Sequence, residues 1–213
     1  YTNATRAMEF NVKDYGAVGN GVANDTAAIQ ACMNAATKYI YDHWTQTGGG
    51  TTTMAGARVL FPRGTYQVAS AINIVEQNST PPKTAVRNLE ILGLGNPILR
   101  STDATGTQDI FNFSTTWYDG RIFVRGIMFH GGGGNRDGIH VVGLPGFSIQ
   151  DSDFYGNGRY GVYLDACYAS RIENSRFQAS GGAEIYLTNN AGNQTVIKRN
   201  YLFGTVGIRS DTA

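Results

Sequence analysis

Charge is scarce in this chain. Only 15% of its residues are Asp, Glu, Lys or Arg, the formal net charge is +1, and the Lys and Arg residues form no run. Without a basic stripe there is no bulk electrostatic case for nucleic acid or an anionic lipid surface. Apolar runs are short too. None reaches the roughly 18 residues that a spanning helix needs, so no membrane insertion is expected. Cys32 and Cys167 fall in different expected elements and no small scaffold needs stapling, so a disulfide is not indicated. His43 and His130 have no partners at ligand spacing and no His/Cys cluster exists. No metal centre and no cofactor are therefore expected, with calcium on scattered carboxylates left open.

What the chain does have is glycine, 28 of them, with plentiful Tyr, Asn, Thr and Ser. This turn-rich composition is organised by a repeat. Gly138-Ile139-His140-Val141, Gly161-Val162-Tyr163-Leu164, Glu184-Ile185-Tyr186-Leu187 and Gly207-Ile208-Arg209-Ser210 follow one another at a constant step of 23. The apolar positions alternate with polar ones, a period of two that reads as strand. A second set, Phe147 to Phe154 followed by Ser170 to Phe177, keeps the same offset. The next copy, Val196 to Leu202, is displaced by two more residues, and the delay is recovered before Ile208. Stacked strands that hold register while their turns vary predict an all-β parallel β-helix, a solenoid of ~23-residue coils.

Stacking at roughly 4.8 Å per coil turns equivalent positions into ladders. Ile139, Val162, Ile185 and Ile208 form one inward ladder, with Val141, Leu164 and Leu187 beside it. Ile149 with Ile172 and Phe154 with Phe177 form others. Outward columns are His140, Tyr163, Tyr186, Arg209 and Val142, Asp165, Thr188, Asp211. Asp151 and Asn174 sit at equivalent strand ends, where short polar side chains tolerate left-handed backbone.

Residues 1–9 read as a linker running into a strand that opens at Met8. The loop Lys13 to Gly21 does not fit a dinucleotide or phosphate-binding pattern. Asn24-Asp25-Thr26 then supplies N-cap residues for one amphipathic helix carrying Ile29, Cys32, Met33, Ala36 and Ile40, which caps the open end of the solenoid. Gly48 to Thr53 reads as a flexible insertion, Pro81-Pro82 as a loop and Gly131 to Gly134 as a loop beside the array. Residues 10–213 form one domain, the cap and first coils. The start at Tyr1 rather than Met implies a removed leader or a cut fragment, and the array stops mid-coil, so further coils are expected beyond Ala213.

Two segments resemble a known family. Phe10 to Gly21 with Asn24-Asp25-Thr26-Ala27-Ala28-Ile29-Gln30, and Arg58-Val59-Leu60-Phe61-Pro62-Arg63-Gly64-Thr65-Tyr66, are similar to the opening of the pectate-lyase-like right-handed β-helix superfamily. That resemblance implies a right-handed coil and action on polysaccharide. Its members include phage tailspike depolymerases, fungal glucanases, polygalacturonases and uronan epimerases, so it does not fix the reaction. The tailspike reading implies a homotrimer, a polysaccharide substrate or receptor, and a virion-tail or extracellular location. A non-catalytic adhesin scaffold is the rival. A secreted glucanase, which predicts glycan on the sequons at Asn3, Asn78, Asn112 and Asn193, is a third.

The outward face carries the candidate site. Arg136, Arg159, Tyr163, Tyr186 and Arg209 read as substrate-binding, because tyrosine rings can stack on sugars and arginines pair with acidic groups. Asp137, His140, Tyr160, Asp165, Glu184 and Asp211 read as catalytic candidates, carboxylates for hydrolysis or His140 with a tyrosine for β-elimination. Asp165 and Asp211 lie two coils apart, roughly 9.6 Å by strand spacing, with Thr188 expected to leave a gap for water. Asn135-Arg136-Asp137-Gly138 resembles the Asn-Thr-Asp-Gly segment of polygalacturonases, but Arg159-Tyr160-Gly161 stands where that family has paired aspartates. Tyr160-Gly161-Val162-Tyr163-Leu164-Asp165 stands where epimerases read Tyr-Gly-Phe-Asp-Pro-His, so their acidic and histidine positions are lost.

Overall fold

A computed structural model describes residues 7–43, 45–46, 52–53, 56–76, 88–115, 121–132 and 134–211. The glycines at 48–50, the Pro81-Pro82 loop, Gly133 and the sequons at Asn3 and Asn78 lie outside the described residues, as do 1–6 of the expected linker.

The alternation of apolar and polar residues builds three parallel sheets, which wind as a parallel β-helix. Sheet I stacks seven strands from Met8–Asn11 through Ala57–Phe61, Leu89–Gly93, Ile122–Arg125, Phe147–Gln150 and Arg171–Glu173 to Val196–Lys198. Sheet II stacks seven more, from Asn20–Asn24 through Thr65–Val68, Ile98–Ser101, Met128–His130, Asp153–Tyr155 and Arg176–Gln178 to Tyr201–Phe203. Sheet III has six strands, Ile72–Val75, Phe111–Ser114, Asp137–Val142, Tyr160–Asp165, Ala183–Thr188 and Ile208–Asp211.

The expected ladders form. Ile139, Val162, Ile185 and Ile208 pair in register on sheet III, and Phe154 pairs with Phe177 on sheet II. Two extra residues enter between Ile172 and its partner Ile197 and are gone again at Ile185 and Ile208. Strands cannot slip by one residue without turning their apolar side outward, so length changes collect in the corners. In the last four coils the bend from sheet I to sheet II uses one left-handed residue each. Gly126, Asp151, Asn174 and Arg199 take φ of 70°, 48°, 51° and 56° there. The Asp and Asn at this corner are structural, as their side-chain chemistry implies.

Inside, Phe129, Phe154 and Phe177 stack nearly parallel, with centroids 5.0 and 4.7 Å apart. The coil spacing and the stacking distance of aromatic rings nearly coincide, so identical inward aromatics on successive coils pack face to face.

The helix, Thr26–Asp42, buries Ile29, Cys32, Met33, Ala36 and Ile40 against the strands Met8–Asn11, Ala57–Phe61 and Ile72–Val75, covering the first coils. Its N-terminus departs from the expected cap. The Asp25 carboxylate makes no cap bond and instead accepts the backbone N–H groups of Val18 and Gly19, at 2.6 and 3.1 Å. Asn24 Oδ1 takes the Thr26 N–H. The glycine loop therefore spends two of its amides on a buried carboxylate. Gly19 has φ +66° and lies against Tyr66, where a Cβ would come within 2.8 Å of the ring. Cys32 and Cys167 are free buried thiols. No helix among the described residues is long and apolar enough to cross a membrane.

Candidate functional site

The outward columns of sheet III hold the register that the repeat implies. His140 faces Tyr163, Tyr163 faces Tyr186, and Tyr186 faces Arg209; beside them run Val142, Asp165, Thr188 and Asp211. Alternation breaks, however, at the start of each strand. Asp137 pairs with Tyr160, and Tyr160 with Ala183, while Gly138 and Gly161 turn inward. A Cβ on Gly138 would strike Phe154, and one on Gly161 would strike Phe177. Glu184 occupies the same level one coil on.

That inward turn corrects one expectation. Glu184 does not stand on the outward face: it is fully buried, and its carboxylate accepts the Ser180 hydroxyl at 2.7 Å. Asp137 is also fully buried, despite its place at the edge of the outward column.

A second correction concerns the rings. His140 and Tyr163 stack at 4.4 Å with an interplanar angle of 5°, and Tyr163 and Tyr186 at 5.0 Å. Arg209 lies 5.2 Å from the Tyr186 ring centre. Outward aromatics one coil apart stack on each other for the same reason that the inward phenylalanines do. Both faces of Tyr163 are thereby covered, and the column offers ring edges and hydroxyls rather than flat platforms for sugar.

Tyr160 joins the group from the side, 4.5 Å from Tyr186 and 5.6 Å from Tyr163. The Arg159 guanidinium lies 4.7 Å from the Tyr160 ring and 5.2 Å from the Tyr163 ring.

Beside the rings runs a ladder of arginines and aspartates. Arg136 donates Nε and Nη2 to the two oxygens of Asp109 at 2.9 and 2.7 Å. One coil on, Arg159 donates the same pair to Asp137 at 2.9 and 2.6 Å. Each arginine reaches diagonally back to the carboxylate of the previous coil. Both forks leave Nη1 unspent among the described residues, and the two arginines line an open cavity of about 410 Å³ with Thr105, Gly106, Gly134 and Gly158.

The two carboxyls are pushed apart in acidity. Burial is the largest influence on both and raises each. At Asp109 the hydrogen bonds from His140 and Arg136 outweigh burial and hold it below the ordinary carboxylate value. At Asp137 burial wins over the Arg159 fork, helped by the neighbouring Asp109 charge, and the carboxyl sits above it. The linkage signs are opposite. Asp109, lowered in the fold, contributes stability present above the unfolded value and lost as pH falls through the folded one. Asp137, raised, contributes stability present below the unfolded value and lost as pH rises through the folded one. Asp109→Asn should therefore shrink the acid-side loss of stability; urea midpoints of the two proteins, measured from neutral pH to below 3.8, should converge on acidification.

His140 completes this corner. Its Nδ1 lies 3.2 Å from Arg136 Nη2 and 3.4 Å from Asp109 Oδ2, and its buried Nε2 finds no partner among the described residues. Arginine only donates and carboxylate only accepts, so Nδ1 accepts from Arg136 when the ring proton is on Nε2 and donates to Asp109 when Nδ1 carries a proton. Ligand atoms of Asp109, Asp137 and His140 lie within 4.8 Å of one another. A dication there would have to displace two guanidiniums that already neutralise both carboxylates.

Asp109 was not among the residues that the sequence points to. Extending the register back from Ile139 to its partner Phe111 sets Asp109 two residues before the ladder, as Asp137 is before Ile139. That offset of 28 was the available signal; the irregular coil hid it.

Asp165 and Asp211 do share a column with Thr188 between them, and Thr188 is bonded on the Asp165 side. Its hydroxyl lies 3.1 Å from Asp165 Oδ1 and 3.2 Å from the Tyr163 hydroxyl. Asn189 donates to the same Asp165 oxygen at 2.6 Å. Asp211 accepts the Tyr186 hydroxyl at 2.7 Å and pairs with Arg209. Those bonds from Arg209 and Tyr186 hold Asp211 below the ordinary carboxylate range, and the bond to Asp211 pushes the Tyr186 phenol up to about 12.

Residues 9–209 match the family model described as rhamnogalacturonase A/epimerase, pectate lyase-like. The chain belongs to this family. Among curated relatives, mannuronan C5-epimerase AlgE1 of Azotobacter vinelandii is 33% identical over 134 residues, 62% of this chain and 8% of that protein. Non-secreted LysM effector LysM19 of Penicillium expansum is 30% identical over 193 residues, 84% of this chain and 14% of that one. The chain thus spans only a small part of the length of these family relatives. Among solved structures, ORF18 of Geobacillus virus E2 superposes with a TM-score of 0.67 at 20% identity, over 96% of this chain and 40% of that one. The A-module of mannuronan C-5 epimerase AlgE6 from Azotobacter vinelandii gives 0.58 at 19%, over 92% and 56%. At such identities the likeness shows the shared fold.

Proposed function

We propose that this family member is a polysaccharide depolymerase that accepts an acidic, uronate-bearing chain along the outward face of sheet III and cleaves it by β-elimination. The observation that carries the reading is the paired arginines, Arg136 and Arg159, fixed by buried carboxylates and lining a cavity of about 410 Å³, with the Arg159 guanidinium also against the rings of Tyr160 and Tyr163. A proton next to a carboxylate becomes removable when cations take up the charge that develops, and fixed donors cost no reorganisation. Two similar proteins bear the names mannuronan C5-epimerase and alginate lyase 7.

Hydrolysis fits the site less well. It needs an accessible carboxyl held in its acid form. Asp211 is held ionised, while Asp137, whose value is raised, is fully buried under the Arg159 fork. The wider reading includes a homotrimer on a virion tail or outside a cell, which light scattering of the assembled protein tests.

The deciding experiment incubates the full-length protein with polymannuronate, polygalacturonate and neutral glucan, following reducing ends and ultraviolet absorbance of unsaturated uronate together. Both signals on a polyuronate are expected. Reducing ends alone would replace the reading with hydrolysis. Retention on a polyuronate gel with neither signal would leave a binding scaffold.

A further inference from the structure

The segment Phe61-Pro62-Arg63-Gly64-Thr65-Tyr66, part of the family resemblance, takes no part in the sheet III site. It leaves sheet I at the end of Ala57–Phe61 and enters sheet II at the start of Thr65–Val68. At this bend the first three coils line an open cavity of about 650 Å³. Gly19 and Asn20 come from the first coil, Arg63 to Thr65 from the second, and Gly95 and Asn96 from the third.

This wall is rich in donors and carries no carboxylate. The Arg63 guanidinium makes no ion pair or hydrogen bond among the described residues, whereas Arg58, on the strand before it, is shared by Glu9 and Glu90. The backbone N–H groups of Gly64, Gly95 and Asn96 also donate to nothing among the described residues, while that of Thr65 goes to Gly19 O at 2.9 Å. Asn20 spends its side-chain oxygen on the amides of Val22 and Ala23, at 2.9 Å each, which leaves its Nδ2 as a donor. The neighbouring Asp25 carboxylate is already satisfied by the Val18 and Gly19 amides.

Close backbone packing holds these donors in place. A Cβ on Gly64 would stand 2.6 Å from Gly19 O, so the first two coils meet with no side chain between them. Gly95 and Asn96 take φ of 75° and 54°. A Cβ on Gly95 would lie 3.3 Å from Arg63 Cβ and 3.9 Å from its Cγ and Cδ, so the arginine stem runs along the turn of the third coil. Turn amides in a concavity, with a guanidinium fork beside them, suit the charge and the several acceptor oxygens of an oxyanion.

We propose that this cavity binds one oxyanion, either the carboxylate or sulfate group of an acidic glycan or a free inorganic sulfate or phosphate. Arg63 supplies the charge and the fork; Asn20 Nδ2 and the amides of Gly64, Gly95 and Asn96 supply the other donors. The site lies at the helix-capped end, on a bend away from sheet III, and does not rest on the elimination reading. A neutral sugar offers the guanidinium no charge to pair with.

Equilibrium dialysis of the full-length protein at fixed ionic strength against labelled sulfate, glucuronate and glucose tests this, with no turnover required. Wild type is compared with Arg63→Met and Arg63→Lys, and urea midpoints check that both variants are folded. Losing charge-assisted hydrogen bonds should weaken binding about 10–100-fold in Arg63→Met. Lysine keeps the charge without the planar fork and should recover only part of that loss. One bound sulfate per chain that disappears in Arg63→Met marks a site for a free anion; a bound glucuronate that disappears while sulfate never binds marks a site for a glycan carboxylate. Sulfate and glucuronate binding that is the same in wild type and Arg63→Met overturns the inference. So does an Arg63→Lys protein that binds as tightly as wild type, since diffuse charge would then suffice, and so does glucose binding with the same dependence on Arg63.

Discussion

Replacing Phe154 by alanine should destabilise the protein by about 3–5 kcal/mol, the range for emptying a buried aromatic site. Phe154 is the middle ring of three, 5.0 Å from Phe129 and 4.7 Å from Phe177, and it is 1% exposed. The loss combines the transfer of a phenyl group, the cavity left behind and two stacking contacts. Neighbouring coils cannot close the hole, because each strand is tied in register to strands above and below. The ring also underlies Gly138, whose missing Cβ would come within 2.9 Å of it. The damage should therefore reach the outward corner where Asp137 and Tyr160 emerge. Equilibrium urea unfolding gives the first quantity, and the polyuronate assay should show activity falling with it. Phe154→Leu, which fills part of the space, should lose less than half as much.

The second large effect is electrostatic and depends on pH. Arg159→Met should cost about 2–3 kcal/mol at neutral pH. Breaking a buried ion pair by removing one partner costs about 3–5 kcal/mol, and the lower figure reflects an arginine side chain that is itself 38% exposed. What remains is the Asp137 carboxylate at 0% exposure without its guanidinium. Arg159 now lowers the Asp137 value, so its loss lets that value climb further. A raised value means the folded state favours the proton, and the variant should regain stability as pH falls through it. Urea midpoints of wild type and variant should approach each other on acidification. Adding Asp137→Asn to the variant should remove that pH dependence, because the group that takes up the proton is gone. A gap that stays constant with pH would assign the loss to packing of the arginine stem instead.

Much of this fold was legible in the chain itself. The step of 23 in sheet III, the two-residue delay at Val196 and the left-handed Asp151 and Asn174 all follow from strand alternation and from the rule that stacked strands keep register. The capping helix was legible from its apolar spacing, although Asp25 turned out to hold the glycine loop and not the helix end. The candidate site was legible only in outline. Columns told which residues share a coil position, so His140, Tyr163 and Tyr186 were rightly set together. They could not tell that Glu184 turns inward, because the turn-over at Gly138 and Gly161 breaks the period of two at the head of each strand. Asp109 was missed because its coil, with a step of 28, is longer than the 23-residue coils of the repeat that follows it.

The sequence by itself therefore determined the coil, its register and the membership of each column, since these depend on a side-chain period that one-dimensional spacing records. Only the tertiary structure decided how the columns bind one another. Arg136 and Arg159 reach diagonally back to the preceding coil, Tyr163 stacks between two rings and loses both faces, and Thr188 fills the space between a phenol and a carboxylate. Those choices depend on long side chains competing for partners at a spacing of roughly 4.8 Å, and that competition is settled in three dimensions.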